Sequence, residues 1–437
     1  MRRIALLVAL TVASARPVVA ETILFATAAS QNRIDAFGVA NDGAPSPDPV
    51  AQHSTGGVLP RRLVGHGCNL YVAENDRVEV FRIHPGGRLE LIGATRASKE
   101  MRAHDIEVSD DGLTLYAPIR QMGAIASYPL DAEGKPNDSV ITENGVPAGG
   151  PTSCVYGPVH ADWEDLALAN GKLYAAFTNR IEVFGITDTG QLTGVAQVPH
   201  DNNDDGTIEA DETSCPFYAT TPSGVIEPCI DPDIRPRPDR PDPTCPFSAR
   251  GHMAGAVGLV VEGTALVSSQ RFTHLLLGFV LDATGNLPAF GVDPAFPTAK
   301  EKKKERKSRK KNRTDELIRY IGVTVLHEAD GQPIIYAAGY SGRVDAFRLG
   351  TDGTLPKQPN MQSTPKDVTS TPVRTAVGTT AGGRPVLYVA SGELDRVQAF
   401  HLFDGGRIDA GTSPAETNEQ HGSFPNDVVP IDITSCD

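Results

Sequence analysis

The chain has 437 residues, of which 40% are apolar and 22% are charged. It is too apolar to be disordered, and it is long enough for one large domain or for two or three ordinary ones. The 54 acidic residues outnumber the 40 basic residues and give a formal net charge of −14. This balance argues against a general nucleic-acid-binding protein, whose surface would be basic, so no nucleic-acid partner is expected.

Residues 1–20 have the pattern of a secretory signal peptide. Arg2 and Arg3 are basic, the stretch from Ile4 to Ser14 is apolar, and small residues precede Glu21. The apolar stretch is shorter than the roughly 20 residues that a membrane span needs, although an uncleaved anchor is the alternative. We therefore expect an exported protein, secreted or periplasmic, without a membrane span.

A short pattern recurs along residues 21–437: an apolar strand, a polar turn, a second apolar strand and a turn with glycine. Its seven copies begin at Thr22, Asn69, Leu113, Lys172, Thr264, Pro333 and Pro385. The shortest steps between copies are about 45 to 60 residues, which is the spacing of propeller blades. β-Branched and aromatic residues dominate each copy and indicate strands. The sequence thus predicts an all-β fold, a seven-bladed β-propeller in which closure protects the strand edges.

The phase of the repeat predicts how the ring closes. Copies two to seven follow a further strand-like run, such as those at Asp105 and Asp165, whereas the first copy has none before it. A matching run lies at the C-terminus, from Asn426 to Thr434. We predict that this C-terminal run is the innermost strand of the first blade and closes the propeller.

The repeated segments resemble those of a known family. The pattern is Leu-Tyr-Val-Ala followed by Arg-Val and a later Phe, as in residues 70–81, and residues 104–116 contain a His-Asp-Ile-Glu-Val entry to an inner strand. Both are similar to the seven-bladed propeller lactonases, the group that includes 6-phosphogluconolactonase and muconate cycloisomerase-like propellers. The resemblance covers nearly all of the chain after residue 20. It implies the propeller fold and a lactone-opening reaction.

Residues 201–212 match a twelve-residue calcium loop, with Gly206 at position 6 and Ile208 at position 8. The oxygen ligands that the pattern predicts are Asp201, Asn203, Asp205, Thr207 through its carbonyl, Glu209 and Glu212. No helical pattern flanks the loop, so we expect an isolated structural Ca²⁺ site rather than a paired EF-hand. The alternative is an acidic, solvated turn.

The calcium loop opens an insertion, residues 199–250, that is rich in cysteine and proline. Proline at this density argues against regular secondary structure, so Ca²⁺ and disulfides would hold the segment. Two disulfides are expected among Cys154, Cys215, Cys229 and Cys245, and their pairing stays open. Cys68 and Cys436 each follow an innermost strand in neighbouring blades, which predicts a bond that locks the closure. Six free thiols are the alternative, which an oxidising compartment disfavours.

A second insertion, residues 298–314, lies between the fifth and sixth blades. Its segment Lys300–Arg313 contains ten basic and two acidic residues. Runs of like charge are usually solvated, and we favour that interpretation over docking to an anionic surface. No aromatic residues interleave with the charges, as binding of single-stranded nucleic acid would require.

Residues just before each innermost strand should point to the mouth of the central channel. The candidates there are Arg62, Arg102, His104, His160, Asp162, Arg250, His252, Arg319 and Arg374. A lactone hydrolase needs a base that activates water, and His104 or His160 could serve near neutral pH. Arg62 and Arg250 could bind a carboxylate and stabilise a developing oxyanion. Alternatively, these side chains are structural and hydrogen bond to loop carbonyls.

Two functions remain open. The first is a lactonase-type propeller, expected to be a monomer, that hydrolyses or binds a small anionic lactone or sugar acid in its channel. The second is a non-catalytic propeller whose calcium-stabilised cap and basic loop recognise a ligand or surface. The sequence contains no phosphate-binding loop, nucleophile elbow or His-Glu-x-x-His motif, which disfavours nucleotide enzymes and serine hydrolases.

Overall fold

The structure of the chain is a computed structural model. The structure describes residues 22–96, 103–119, 124–137, 140–143, 163–177, 181–197, 218–220, 226–228, 256–270, 276–286, 320–327, 331–339, 342–356, 359–364, 369, 372–409, 414–420 and 423–436. In this part of the chain, no helix is long and apolar enough to cross a membrane.

The described strands form eight antiparallel sheets, of which seven correspond to the seven repeats and one is a two-stranded hairpin. The first blade contains β1 (Thr22–Ala28), β2 (Arg33–Gly38) and β3 (Ala51–Ser54), and the second contains β4 (Arg62–His66), β5 (Asn69–Ala73), β6 (Val78–His84) and β7 (Arg88–Ala94). The third blade contains β8 (Glu107–Val108), β9 (Thr114–Ile119), β10 (Ala124–Pro129) and β11 (Val140–Glu143). The fourth contains β12 (Trp163–Ala169), β13 (Lys172–Phe177), β14 (Ile181–Ile186) and β15 (Leu192–Gln197). A separate hairpin of β16 (Tyr218–Thr220) and β17 (Ile226–Pro228) follows. The fifth blade contains β18 (Ala256–Glu262), β19 (Ala265–Gln270) and β20 (Leu276–Val280), and the sixth contains β21 (Tyr320–His327), β22 (Pro333–Gly339) and β23 (Arg343–Arg348). The seventh contains β24 (Pro372–Thr379), β25 (Pro385–Ser391), β26 (Arg396–His401) and β27 (Ala415–Glu416). The final strand, β28 (Val428–Asp432), joins the first blade. The predicted seven-bladed propeller is confirmed.

The chain ends close the ring as predicted. β28 pairs antiparallel with β1, with Asp432 opposite Thr22 and Val428 opposite Ala26. A disulfide joins Cys68 after β4 to Cys436 after β28, with 5.3 Å between the Cα atoms. Because β4 belongs to the second blade and β28 to the first, this bond locks two neighbouring blades at the closure.

The hairpin of β16 and β17 lies inside the insertion of residues 199–250. Its register places Tyr218 opposite Pro228 and Thr220 opposite Ile226. The expectation that proline excludes regular structure from the whole insertion is therefore wrong. The reason is local, since these two strands contain a single proline, Pro228 at the last position of β17, and the denser prolines of the insertion come after it.

The core lies between the blades. In β5, Leu70 and Val72 pack with first-blade residues, whereas Tyr71 and Ala73 pack with third-blade residues. Successive side chains of a strand point to opposite faces, and both faces of this sheet are covered. This explains why the second strand of a blade, such as β5, is a continuous apolar run rather than an alternating one.

A buried tyrosine links neighbouring blades at five of the seven interfaces. The phenol hydroxyls of Tyr71, Tyr116, Tyr174, Tyr336 and Tyr388 donate to the carbonyls of Gly134, Gly190, Gly285, Gly406 and Gly43, at 3.2, 2.9, 2.6, 2.5 and 3.0 Å respectively. Each glycine lies in a turn of the following blade and has a φ between +67° and +90°. A Cβ on Gly134 would approach the Tyr71 hydroxyl to 2.7 Å. Glycine therefore permits both the turn and the close approach of the phenol.

The first blade has Phe25 at the tyrosine position, and His53 contacts the turn glycine there. His53 Nε2 lies 3.2 Å from the carbonyl oxygen of Gly87 and 3.1 Å from the backbone nitrogen of Leu89. Burial lowers the pKa of His53, which favours the neutral imidazole. A different side chain thus takes the place of the phenol at this interface.

Candidate functional site

One register position recurs at the start of all seven innermost strands. Arg62 pairs with Ala73, two residues after Tyr71, and blades four to seven have an equivalent pair. In the first and third blades the same place is reached by continuing the registers of β28 and β8 by one and two residues. In blade order these residues are Asp427, Arg62, Asp105, Asp165, Gly258, Gly322 and Arg374. We call them the channel ring, because innermost strands surround the axis of a propeller.

A bulge precedes the ring position in blades four to seven. The register shifts between Trp163 and Asp165, and shifts at the same place occur in β18, β21 and β24. Bulges redirect side chains at strand ends and are frequent at the rims of barrels. The bulge therefore determines which residue of each innermost strand occupies the ring.

Ion pairs connect the charged members of the channel ring. Arg62 Nε lies 2.6 Å from Asp105 Oδ1, and Arg62 Nη1 lies 3.4 Å from Asp427 Oδ1. Arg374 Nη2 lies 2.7 Å from Asp165 Oδ1. Since Arg374 belongs to the seventh blade and Asp165 to the fourth, their ion pair bypasses two whole blades. The aspartate side chains are at most 1% exposed, whereas Arg62 is 22% exposed and forms the solvent-facing part of the ring.

The two glycines explain how Arg374 reaches Asp165. A Cβ on Gly322 would approach Arg374 Cδ to 3.2 Å and the carbonyl oxygen of Val373 to 2.5 Å. A Cβ on Gly258 would approach the carbonyl oxygen of Ile321 to 2.5 Å. At the level of the ring, Gly258 and Gly322 therefore bring the backbones of neighbouring blades close together, and the lack of side chains leaves room for the long side chain of Arg374.

Each ring aspartate also ties its blade to the next one. Asp427 accepts a hydrogen bond from the backbone N–H of Leu63 at 2.8 Å, and Asp105 accepts one from Leu166 at 2.6 Å. Asp165 accepts the equivalent bond from Leu259. A buried carboxylate is stable only when paired and hydrogen bonded, and these aspartates have both kinds of partner.

Burial and neighbouring charges shift the protonation of the ring. Burial opposes the charge of Arg62, but the Asp427 and Asp105 carboxylates outweigh it and raise the pKa of Arg62. The pKa of Asp165 is raised by burial and by the nearby Asp105, with Arg374 acting in the opposite direction. Two guanidiniums face three carboxyls, so the channel ring as a whole is not a cationic site.

The predicted site residues fall at different places. Arg62 is a ring member, and His104 is half-buried directly before the ring residue Asp105. His160 and Arg250 lie outside the described residues, as do residues 1–20, the calcium loop, Cys154, Cys215, Cys229, Cys245 and the basic run. The catalytic roles of Arg62 and His104, the Ca²⁺ site and the expected partners stay predictions. Among the described residues, no group of three or more His, Cys, Asp or Glu side chains is arranged to hold a metal ion.

Sequence reasoning missed the carboxylates of the ring. Asp165 and Asp427 were predicted only as parts of strand-like runs, and the nearby Asp162 was predicted as a candidate site residue instead. Aligning the innermost strands on the tyrosine of the following strand would have placed Asp165, Asp427 and Asp105 at one level. The signal was therefore present in the repeat, although not within any single copy.

Comparisons with known proteins find the same fold. No protein-family model and no curated protein matches the chain. The periplasmic gluconolactonase PpgL of Pseudomonas aeruginosa is 14% identical with a TM-score of 0.59, over 94% of this chain and 99% of that one. A proposed 6-phosphogluconolactonase from Bacteroides fragilis is 15% identical with a TM-score of 0.58, over 95% and 98%. A protein from Lactobacillus plantarum is 13% identical with a TM-score of 0.61, over 94% and 99%. At these identities the likeness shows the fold, and the predicted resemblance to lactonase propellers is confirmed at that level.

Proposed function

We propose that the protein binds and hydrolyses a small lactone of a sugar acid at the end of the channel that carries the ring. The observation that supports this most is the convergence of guanidiniums and carboxyls from five blades on one position. Arg62 is the most exposed of these groups, and its guanidinium can donate to the hydroxyl or carbonyl oxygens of a lactone while the buried aspartates hold it in place. Two propellers of the same fold carry lactonase names.

The charge of the ring favours a neutral lactone over an anionic one. Arg62 is paired with Asp105 and Asp427, and Arg374 is paired with Asp165. An anionic ligand would have to compete with these carboxylates for the guanidiniums. Hydrolysis converts a neutral lactone into an anionic sugar acid, which the same carboxylates would repel, so the charge arrangement also favours product release.

In this proposal His104 is the base that takes a proton from the attacking water. Arg62, the more exposed guanidinium, stabilises the negative charge that develops on the carbonyl oxygen. His160 and Arg250 remain further candidates for these two roles.

The test is lactone turnover by the purified protein, with glucono-δ-lactone as the neutral substrate and its 6-phosphate as the anionic one. We expect higher kcat/KM for the neutral lactone, and a loss of about 100-fold or more in His104→Ala. The matched control is His84→Ala, since His84 ends β6 and pairs with Glu90 at 2.8 Å, away from the ring. Equal rates in both variants would remove His104 from the mechanism, and no turnover by the wild type would contradict hydrolysis.

The second candidate function is binding without catalysis. It is favoured by the fact that both ring guanidiniums are held in ion pairs and that the aspartates serve as ties between blades. Calorimetric titration with gluconate and with glucono-δ-lactone separates the candidates, because a non-catalytic propeller would bind a ligand without producing acid.

We further propose export to the periplasm or outside the cell, and a structural Ca²⁺ in the loop of residues 201–212. The periplasmic location named for PpgL supports the first, and the ligand pattern supports the second. A chelator should lower the Tm of the wild type but not that of Asp205→Ala. Identical shifts in both proteins would contradict the calcium site.

A further inference from the structure

One acidic side chain lies a layer deeper in the channel than the ring. Glu107 begins β8 and pairs with Tyr116, one layer past the level of the ring residue Asp105. The equivalent residues of the other six blades are Val64, Ala167, Val260, Thr324, Ala376 and Val429, and all seven positions are described. Glu107 is thus the single ionisable group at this level, and neither the inter-blade contacts nor the ion pairs of the ring explain it.

Ring residues from three blades influence the pKa of Glu107. Burial and the adjacent Asp105 raise the pKa of Glu107 to about 8, while Arg62 and Arg374 oppose the shift and Asp110 adds a small contribution in the same direction as Asp105. Its carboxyl is therefore largely protonated at neutral pH, in contrast to an ordinary glutamate. The side chain is half-buried, so the acid is not sealed in the core.

We propose that Glu107 is the catalytic acid that protonates the leaving ring oxygen of the lactone. This inference rests on the proposed function and adds to it a residue with a defined role. The position suits the role, because Glu107 is near enough to Arg62, the residue that would hold the carbonyl oxygen, for their charges to interact.

The reaction balances without a cofactor. The water oxygen bonds to the carbonyl carbon while His104 takes the water proton. The bond between that carbon and the ring oxygen then breaks, its electron pair goes to the ring oxygen, and the Glu107 proton is transferred to it. Proton transfer from His104 to Glu107 through solvent restores both groups, so that one lactone and one water give one hydroxy acid.

The test compares two lactones whose leaving groups differ. Glucono-δ-lactone releases an alkoxide that needs a proton, whereas dihydrocoumarin releases a phenoxide that does not. We expect Glu107→Gln to lower kcat/KM by about 100-fold or more on the first and by less than threefold on the second. The wild type should lose activity on glucono-δ-lactone as the pH rises through about 8, and the variant should lack this alkaline limb.

The controls separate this inference from the proposed function. Glu90→Gln, a substitution at an exposed glutamate that pairs with His84, should match the wild type on both lactones. Equal losses on both lactones in a folded Glu107→Gln protein, or an unchanged alkaline limb, would overturn the role of Glu107 while leaving the lactonase proposal intact. A wild type that opens neither lactone would overturn both.

Discussion

The ion pair between Arg374 and Asp165 allows a quantitative test of the channel ring. Arg374→Met keeps the aliphatic stem and removes the guanidinium, which leaves the buried Asp165 carboxyl without its ion-pair partner while it still accepts from the backbone N–H of Leu259. Removing one partner of a buried ion pair typically costs about 3–5 kcal/mol. We expect a loss in this range at pH 8, measured as the free energy of unfolding in urea.

The loss should depend on pH. The pKa of Asp165 is already above its ordinary value, and it will rise further without Arg374. When a carboxyl has a higher pKa in the folded than in the unfolded state, the protein loses stability as the pH rises from the unfolded-state pKa to the folded-state pKa. The variant should therefore be closer to the wild type at pH 5 than at pH 8. A pH-independent loss, or a loss below about 1 kcal/mol at pH 8, would refute the reasoning.

Two further variants make the interpretation specific. The double variant Arg374→Met with Asp165→Leu should recover part of the loss, because no buried charge is left unpaired. Arg343→Met is the matched control, since Asp345 is also buried and lies 2.8 Å from Arg343, but it keeps hydroxyl donors in Tyr320 at 2.6 Å and Ser363 at 2.5 Å. The control should lose less stability than Arg374→Met.

Three other predictions concern the frame that carries the site. Tyr174→Phe removes the donor to the buried carbonyl of Gly285 and should cost about 1–3 kcal/mol in urea unfolding; no loss would contradict the role of the phenol as a tie between blades. Cys68→Ser opens a loop with a sequence separation of 368, for which chain entropy gives an upper limit of about 6 kcal/mol. We expect a loss of about 2–5 kcal/mol, and a similar loss when the wild type is reduced; a variant as stable as the oxidised wild type would contradict it. Glu74 is fully buried, and its pKa is raised to about 8, chiefly by this burial. Ionisation of Glu74 should therefore lower the stability of the protein as the pH rises from about 4.5 to 8. Glu74→Gln should remove this decline in melting experiments, and parallel pH profiles of variant and wild type would argue against it.

The fold could be predicted because each blade repeats a local pattern. Apolar runs such as residues 70–73 indicate strands without reference to the rest of the chain, and the missing strand before Thr22 indicates where the C-terminal strand must pair. Once the closure is placed, the positions of Cys68 and Cys436 follow, and the bond between them is confirmed.

The site was harder to predict because it depends on register and on contacts across the channel. Arg374 and Asp165 are 209 residues apart in sequence, and no local spacing connects them. The bulge before Asp165 adds one residue to the strand, so simple alternation does not show which acidic residue near Trp163 occupies the ring. Arg62 was found because arginine before a strand is conspicuous, but its carboxylate partners were not.

The seven repeats are alike where they build the frame and unlike where they meet at the axis. Seven aspartates in the ring would repel one another, and seven glycines would provide no carboxylate for the backbone N–H groups of the next blade. The observed ring satisfies both requirements, since its aspartates accept those N–H groups, its arginines balance charge, and Gly258 and Gly322 leave room for Arg374. This solution breaks the sevenfold symmetry and gives the channel one charged side, on which Glu107 lies. A ligand that binds to this charged side meets an asymmetric set of groups, which would fix its orientation in the channel.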